Sequence, residues 1–151
     1  MKTKHRVITA LLTTVLAVGG MSTAANALTW GPRTSSYNGS VVVSGSGSFY
    51  NSAGTAVSTV TTIDKKSDGN AVHATTTFWK LTQPNTSTPP SWSPYGSKST
   101  PAFSNQTLTQ TVSTGYPSTG SQMRGSVQSC AQLGWPVPDS CTDPATLTVS
   151  Y

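Results

Sequence analysis

Ser40–Leu81 reads SVVVSGSGSFYNSAGTAVSTVTTIDKKSDGNAVHATTTFWKL, and its period of two points to an antiparallel sheet. Three runs, 40–50, 55–66 and 70–81, are rich in Val, Thr and aromatic residues. Such side chains suit a pleated surface better than a helix. Between the second and third runs lies Ser67-Asp68-Gly69-Asn70. Asp-Gly is a strong signal for a two-residue type I′ hairpin. Pairing about it predicts Ile63 opposite Ala74, Thr61 opposite Thr76, Thr59 opposite Phe78, Lys65 opposite Val72 and Asp64 opposite His73. Between the first and second runs, Ser52-Ala53-Gly54 reads as a three-residue loop with Gly in the left-handed position. That loop predicts Val57 opposite Phe49 and Ile63 opposite Val43.

The two registers agree on the faces. One face carries Val41, Val43, Phe49, Val57, Ile63, Val72, Ala74 and Phe78. The other carries Ser44, Ser46, Ser48, Ser58, Thr62, Asp64, His73, Thr75 and Thr77, together with Tyr50 and Trp79. A one-residue slip would exchange the faces, so the agreement predicts a three-stranded meander. Its apolar face needs a second layer. Residues 104–151 supply one: Leu108 and Val112, Met123 and Val127, and Leu147, Val149 and Tyr151 recur at strand spacing. The expected fold is all-β, a small antiparallel β-sandwich of about six strands, with a partly closed β-barrel as the alternative packing. Leu28 to Tyr37 reads as an irregular lead-in broken by Gly31-Pro32. Residues 83–103, with Pro84, Pro89, Pro90, Pro94 and Pro101, read as a connecting loop too Pro-rich for a strand. Val41-Val42-Val43 is a β-prone run at an expected sheet edge, where pairing with another chain is a hazard.

Composition points the same way. After residue 27 the chain is dominated by Ser and Thr, and Glu is absent throughout. Upstream, Lys2, Lys4 and Arg6 precede an apolar run from Val7 to Met21, and Ala25-Asn26-Ala27 closes it. That is the pattern of a cleaved secretory signal peptide, residues 1–27, too short and wrongly flanked for a membrane anchor. Residues 28–151 are then one secreted domain, extracellular, with association to the cell surface left open. This domain carries six basic and four acidic residues, a net charge of +2. So few and scattered charges argue against a nucleic-acid partner, and no basic amphipathic stretch argues for membrane insertion. The sequons at Asn38, Asn85 and Asn105 carry little weight in so Ser/Thr-rich a chain.

Cys130 and Cys141 are the two cysteines. In an exported chain they predict a disulfide. Two thiols alone make a poor metal site, and no cofactor or metal is expected. Asp139, Ser140 and Asp143 offer oxygens for calcium, but their spacing matches no calcium-loop pattern.

Three functional readings follow. The aromatics carry the first. Trp79 and Tyr50 fall on the polar face, and Trp92 and Tyr95 lie in Ser91-Trp92-Ser93-Pro94-Tyr95. Flat rings on a rigid frame give contact area at low entropic cost. They predict a non-enzymatic module that binds an extracellular or cell-envelope glycan, provided that Trp79 keeps an open face. The second reading rests on the disulfide loop 131–140, with Trp135, Pro136 and Pro138. A loop held in few conformations loses little entropy on docking, which suits a protein partner, as for an effector or a protease-inhibitor-like module. For any single Trp, the plainer reading is a cap on the sandwich core; Trp30, Trp92 and Trp135 are candidates. The third reading is a hydrolase built on His73 and Asp64. A carboxylate beside an imidazole is half of a hydrolytic triad. A flat outer face provides no oxyanion hole, however, and no Gly-x-Ser-x-Gly elbow occurs, so no catalytic residue is assigned.

Overall fold

The computed structural model describes residues 27–83 and 86–151. The signal-peptide segment up to Asn26 and the sequon at Asn85 lie outside the described residues. The chain is an all-β sandwich of two antiparallel sheets that do not close into a barrel. Nine strands occur among the described residues: β1 (Leu28–Tyr37), β2 (Ser40–Ser52), β3 (Thr55–Asp64), β4 (Val72–Thr82), β5 (Ser91–Ser99), β6 (Thr107–Gly115), β7 (Gln122–Ala131), β8 (Ser140–Cys141) and β9 (Ala145–Ser150). The first sheet has the order β1-β2-β3-β6. The second has the order β5-β4-β7, with β8 and β9 both pairing β7.

The expected meander is not formed. β3 pairs β2 and β6, whereas β4 pairs β5 and β7, so the chain crosses from one sheet to the other between Asp64 and Val72. The Asp68-Gly69 segment bends, but as an arch between sheets and not as the expected type I′ hairpin: of the two residues only Gly69 has positive φ. Asp68 Oδ1 accepts the Asn70 N–H at 3.0 Å, and Asp64 Oδ1 accepts the Lys66 N–H at 3.1 Å. Val72 directs its N–H and C=O to Phe103. The physical reason is packing: Val60 on β3 and Ala74 on β4 meet face to face in one buried cluster, which two side-by-side strands could not achieve.

The β2–β3 hairpin forms, but slipped by one residue. Its turn is the two-residue Ala53-Gly54, both with positive φ (44° and 79°), as type I′ requires. Tyr50 therefore faces Val57, Phe49 faces Ser58 and Ser44 faces Ile63. Cross-strand partners share a face, so on β3 the inward set becomes Ala56, Ser58, Val60 and Thr62. Val57 and Ile63 fall on the opposite face, where Val57 is still buried, at 7% exposure, and Ile63 half-buried. Val43, Phe49, Val72, Ala74 and Phe78 are buried as read. Val41 is 42% exposed, because a register shift between Ser35 and Ser36 places Val42 in the bulge and buries it instead.

Two segments read as irregular are strands. Leu28–Tyr37 pairs β2 with a register shift that absorbs Gly31-Pro32, so β2 is an inner strand and the Val41–Val43 run is not an edge. Ser91–Ser99 pairs β4 as an outer strand. An outer strand tolerates proline, and Pro94 sits at the register shift beside Trp79. These two strands and the short β8 raise the count above the expected six.

The interior is thin and partly polar. Phe49 and Phe78 form its centre, with ring centroids 6.2 Å apart, and Met123 lies in the same cluster. Gly125 makes room for this packing: a Cβ there would stand 2.6 Å from Phe49 Cε2. Hydroxyls cross the gap between sheets, Thr76 to Ser58 at 3.0 Å and Thr62 with Ser129 at 3.2 Å. Buried hydroxyls are costly unless paired, and these pairs join the sheets. Trp30 packs partly buried against Val60, Ala74 and Val127, covering the core as one of the cap candidates.

Candidate functional site

Period two on β4 and β7 places the candidate site. Phe78 points inward, so Trp79 points out of the second sheet; Met123 and Val127 point inward, so Arg124 and Ser126 point out. Trp79 pairs directly with Arg124, and Ser126 with Thr146 of β9. On the other side of β4, Leu81 pairs with Trp92 of β5, which sets Trp92 diagonally beside Trp79. Trp79, Trp92, Arg124, Ser126 and Thr146 thus line one open cleft of about 250 Å³.

The cleft has an internal order. The Arg124 guanidinium carbon stands 3.9 Å from the centroid of the Trp92 ring, a cation–π stack. Arg124 Nε is buried and has no hydrogen-bond partner. No carboxylate pairs with Arg124 among the described residues, where the ion pair is Lys66 with Asp68. Half-buried Trp79, stacked Trp92, one unpaired cation and two hydroxyls form a surface that can stack a flat ring and hydrogen-bond its substituents.

The four predicted aromatics do not form one surface. Trp79 and Trp92 come together, through a strand pairing not expected of the Pro-rich segment. Tyr50 lies on the outer face of the first sheet, opposite Val57, so the sandwich separates it from Trp79. The move of β4 to the second sheet causes this; Tyr50 keeps the outward side that alternation beside Phe49 gives it. Tyr95 is the extra residue of the β5 irregularity. It is 37% exposed and sits with Lys80, whose Nζ is 5.9 Å from its ring centroid, on the opposite side of β4 from Trp79. Arg124, Ser126 and Thr146 were missed as site residues. Alternation about Met123 and Val127 places the first two outside, but their neighbours depend on strand order.

The His73–Asp64 dyad is not assembled. Asp64 ends β3 in the first sheet, and its two carboxylate oxygens accept the backbone N–H groups of Lys66 and Asn105. His73 lies on β4 opposite Cys130, with Nδ1 buried and unpartnered. Among the described residues, no group of three or more His, Cys, Asp or Glu side chains is placed to hold a metal ion, Asp139 and Asp143 included.

The disulfide joins Cys130 and Cys141, which are paired residues of β7 and β8. Ser140 Oγ lies 2.7 Å from Ser35 Oγ and donates to the Ser36 carbonyl, so β8 is also tied to β1 of the other sheet. Leu133 packs on the cluster of Val42, Val43, Val72, Phe103 and Ala131. Next to that anchor, the Val137 N–H bonds the Gly134 carbonyl at 2.9 Å, closing a turn whose Trp135-Pro136 bond is cis. Trp135 is 97% exposed, and Pro136 and Pro138 are exposed beside it. Trp135 therefore caps nothing. A further hollow of about 460 Å³ near Leu81, Pro90 and Gly120 has no charged or aromatic lining among the described residues.

No protein-family model, curated protein or solved structure matches this chain. Among the described residues no helix is long and apolar enough to cross a membrane.

Proposed function

We propose that this protein is a secreted, non-enzymatic β-sandwich that binds an extracellular or cell-envelope glycan through the Trp79–Trp92 cleft, after removal of residues 1–27. One observation carries the reading: two tryptophans from neighbouring strands line one open cleft with Arg124 and the hydroxyls of Ser126 and Thr146. An indole face stacks on a sugar ring, and hydroxyl and guanidinium groups meet its polar rim. Beneath the cleft, β4 and β7 are each hydrogen-bonded to strands on both sides, a frame that loses little order on binding. The disulfide is compatible with an oxidising, extracellular setting. The test is co-sedimentation of protein expressed from the full-length sequence with insoluble glycans and with the producer's own cell wall. Wild type should sediment; Trp79→Ala and Trp92→Ala should each lose on the order of thirtyfold in affinity, as for an aromatic hot spot of about 2 kcal/mol. Sedimentation of both variants like wild type would remove the cleft from consideration.

A second reading is favoured by Trp135 at 97% exposure, on a loop held by a disulfide, by Leu133 and by β1. Here the ring would enter an apolar pocket of a protein partner. Loss of partner capture in Trp135→Ala, with the cleft variants unaffected, would select this reading over the first.

A further inference from the structure

We infer that the cleft selects an acidic glycan, one carrying a carboxylate or phosphate beside the stacked ring, and that Arg124 is the residue that reads the charge. The inference rests on the glycan reading above. Arg124 is the charged side chain lining the cleft, and no carboxylate of the chain pairs with it among the described residues. Its guanidinium carbon lies 3.9 Å from the Trp92 ring centroid, a separation that suits stacking of the guanidinium face on the indole. The N–H donors lie in the guanidinium plane, so stacking directs them sideways, and the terminal Nη pair can make two parallel bonds to an oxyanion. Nε is buried without a partner, which closes it to a ligand and leaves its share of the charge uncompensated. The chain has thus desolvated a donor and left it unmet. A neutral sugar over the cleft would bury the cation further without compensating its charge. An oxyanion compensates it. One cation in a cleft of about 250 Å³ fits one acidic sugar at a time. It does not fit the dense charge of a nucleic acid, which needs a basic track. Ser126 and Thr146 stand where they can meet the hydroxyls of the same ring.

The test compares polygalacturonate, its fully methyl-esterified form and a poly(glycerol phosphate) polymer as ligands, using affinity electrophoresis or calorimetry. The ester keeps the backbone and removes the charge. Wild type should prefer an acidic polymer over the ester by tenfold or more, and less so as salt rises. The tighter of the two acidic polymers identifies carboxylate or phosphate as the group read. Arg124→Gln should abolish the preference, so that its affinities for acid and ester become equal; Arg124→Lys, which keeps charge without the fork, should retain part of it. Near-UV circular dichroism checks that both variants fold. Equal binding of acid and ester by wild type, or a preference that survives Arg124→Gln, overturns the inference and leaves the glycan reading standing. Binding of none of the polymers, together with no glycan sedimentation, overturns both.

Discussion

Thr76 Oγ1 on β4 donates a 3.0 Å hydrogen bond to Ser58 Oγ on β3, across the space between the two sheets. Both residues are buried. Each strand spends an inward position on a hydroxyl, and each hydroxyl satisfies the other. A pair of this kind specifies which strands face each other, because any other arrangement strands two polar groups in the core.

Ser58→Ala removes the acceptor and leaves Thr76 buried without a partner. It should lower stability by about 1–3 kcal/mol, whereas adding Thr76→Val should cost less than the sum of the single changes. Urea unfolding of the four members of the cycle measures the coupling. Strict additivity would show that the bond adds nothing to the two burials.

Gly125 faces the Phe49 ring, and a Cβ there would meet Cε2 at 2.6 Å. Gly125→Ala should therefore destabilise by about 1–3 kcal/mol, as overpacking does. Thermal unfolding reads the change. Gly69, with open space around its Cβ position but φ of +81°, is the contrasting site, where any cost comes from the backbone alone.

Tyr116 and Tyr151 stack with centroids 3.9 Å apart, and the Tyr116 hydroxyl is buried without a partner. Burial, and secondarily the nearby Tyr151, holds the Tyr116 phenol above its ordinary pKa of 10.0. The folded state thus favours the neutral phenol. Its contribution is complete below pH 10 and is lost as pH rises through the higher folded pKa. Tyr116→Phe should be neutral or stabilising at pH 7, and should lose less stability than wild type above pH 10. Melting temperatures from pH 7 to beyond pH 10 test both parts. A steeper alkaline decline in the variant would reverse the assignment.

Trp135→Ala should leave stability within about 0.5 kcal/mol of wild type, since the ring is almost wholly solvated. Replacing Cys130 and Cys141 by Ser should cost about 2–3 kcal/mol for so short a loop. Comparing the two by denaturant unfolding separates what the loop presents from what holds it.

The sequence shows inside from outside on single strands and little beyond that. Phe49, Phe78, Met123, Val127 and Val149 were readable as inward because alternation is a local property of an extended backbone. The β2–β3 register was not. Ala53-Gly54 and Ser52-Ala53-Gly54 are both sound turns with glycine at positive φ, they differ by one residue, and one residue exchanges the faces of Val57 and Ser58. The Pro-rich β5 was misread because proline is barred from inner strands but not outer ones, and the position of a strand in a sheet is not written within it.

The candidate site divides along the same line. Trp79 was placed on an outer face from the sequence alone, through the inward Phe78 beside it. Its neighbours Trp92 and Arg124 lie on β5 and β7, and Tyr50 lies across the sandwich, because Asp68-Gly69 turns the chain into the opposite sheet. Alternation, composition and a disulfide made this an all-β sandwich whatever the pairing. Which strands adjoin, and so which tryptophans share a cleft with a cation, was decided by the joint packing of two layers, a long-range choice that no local stretch encodes.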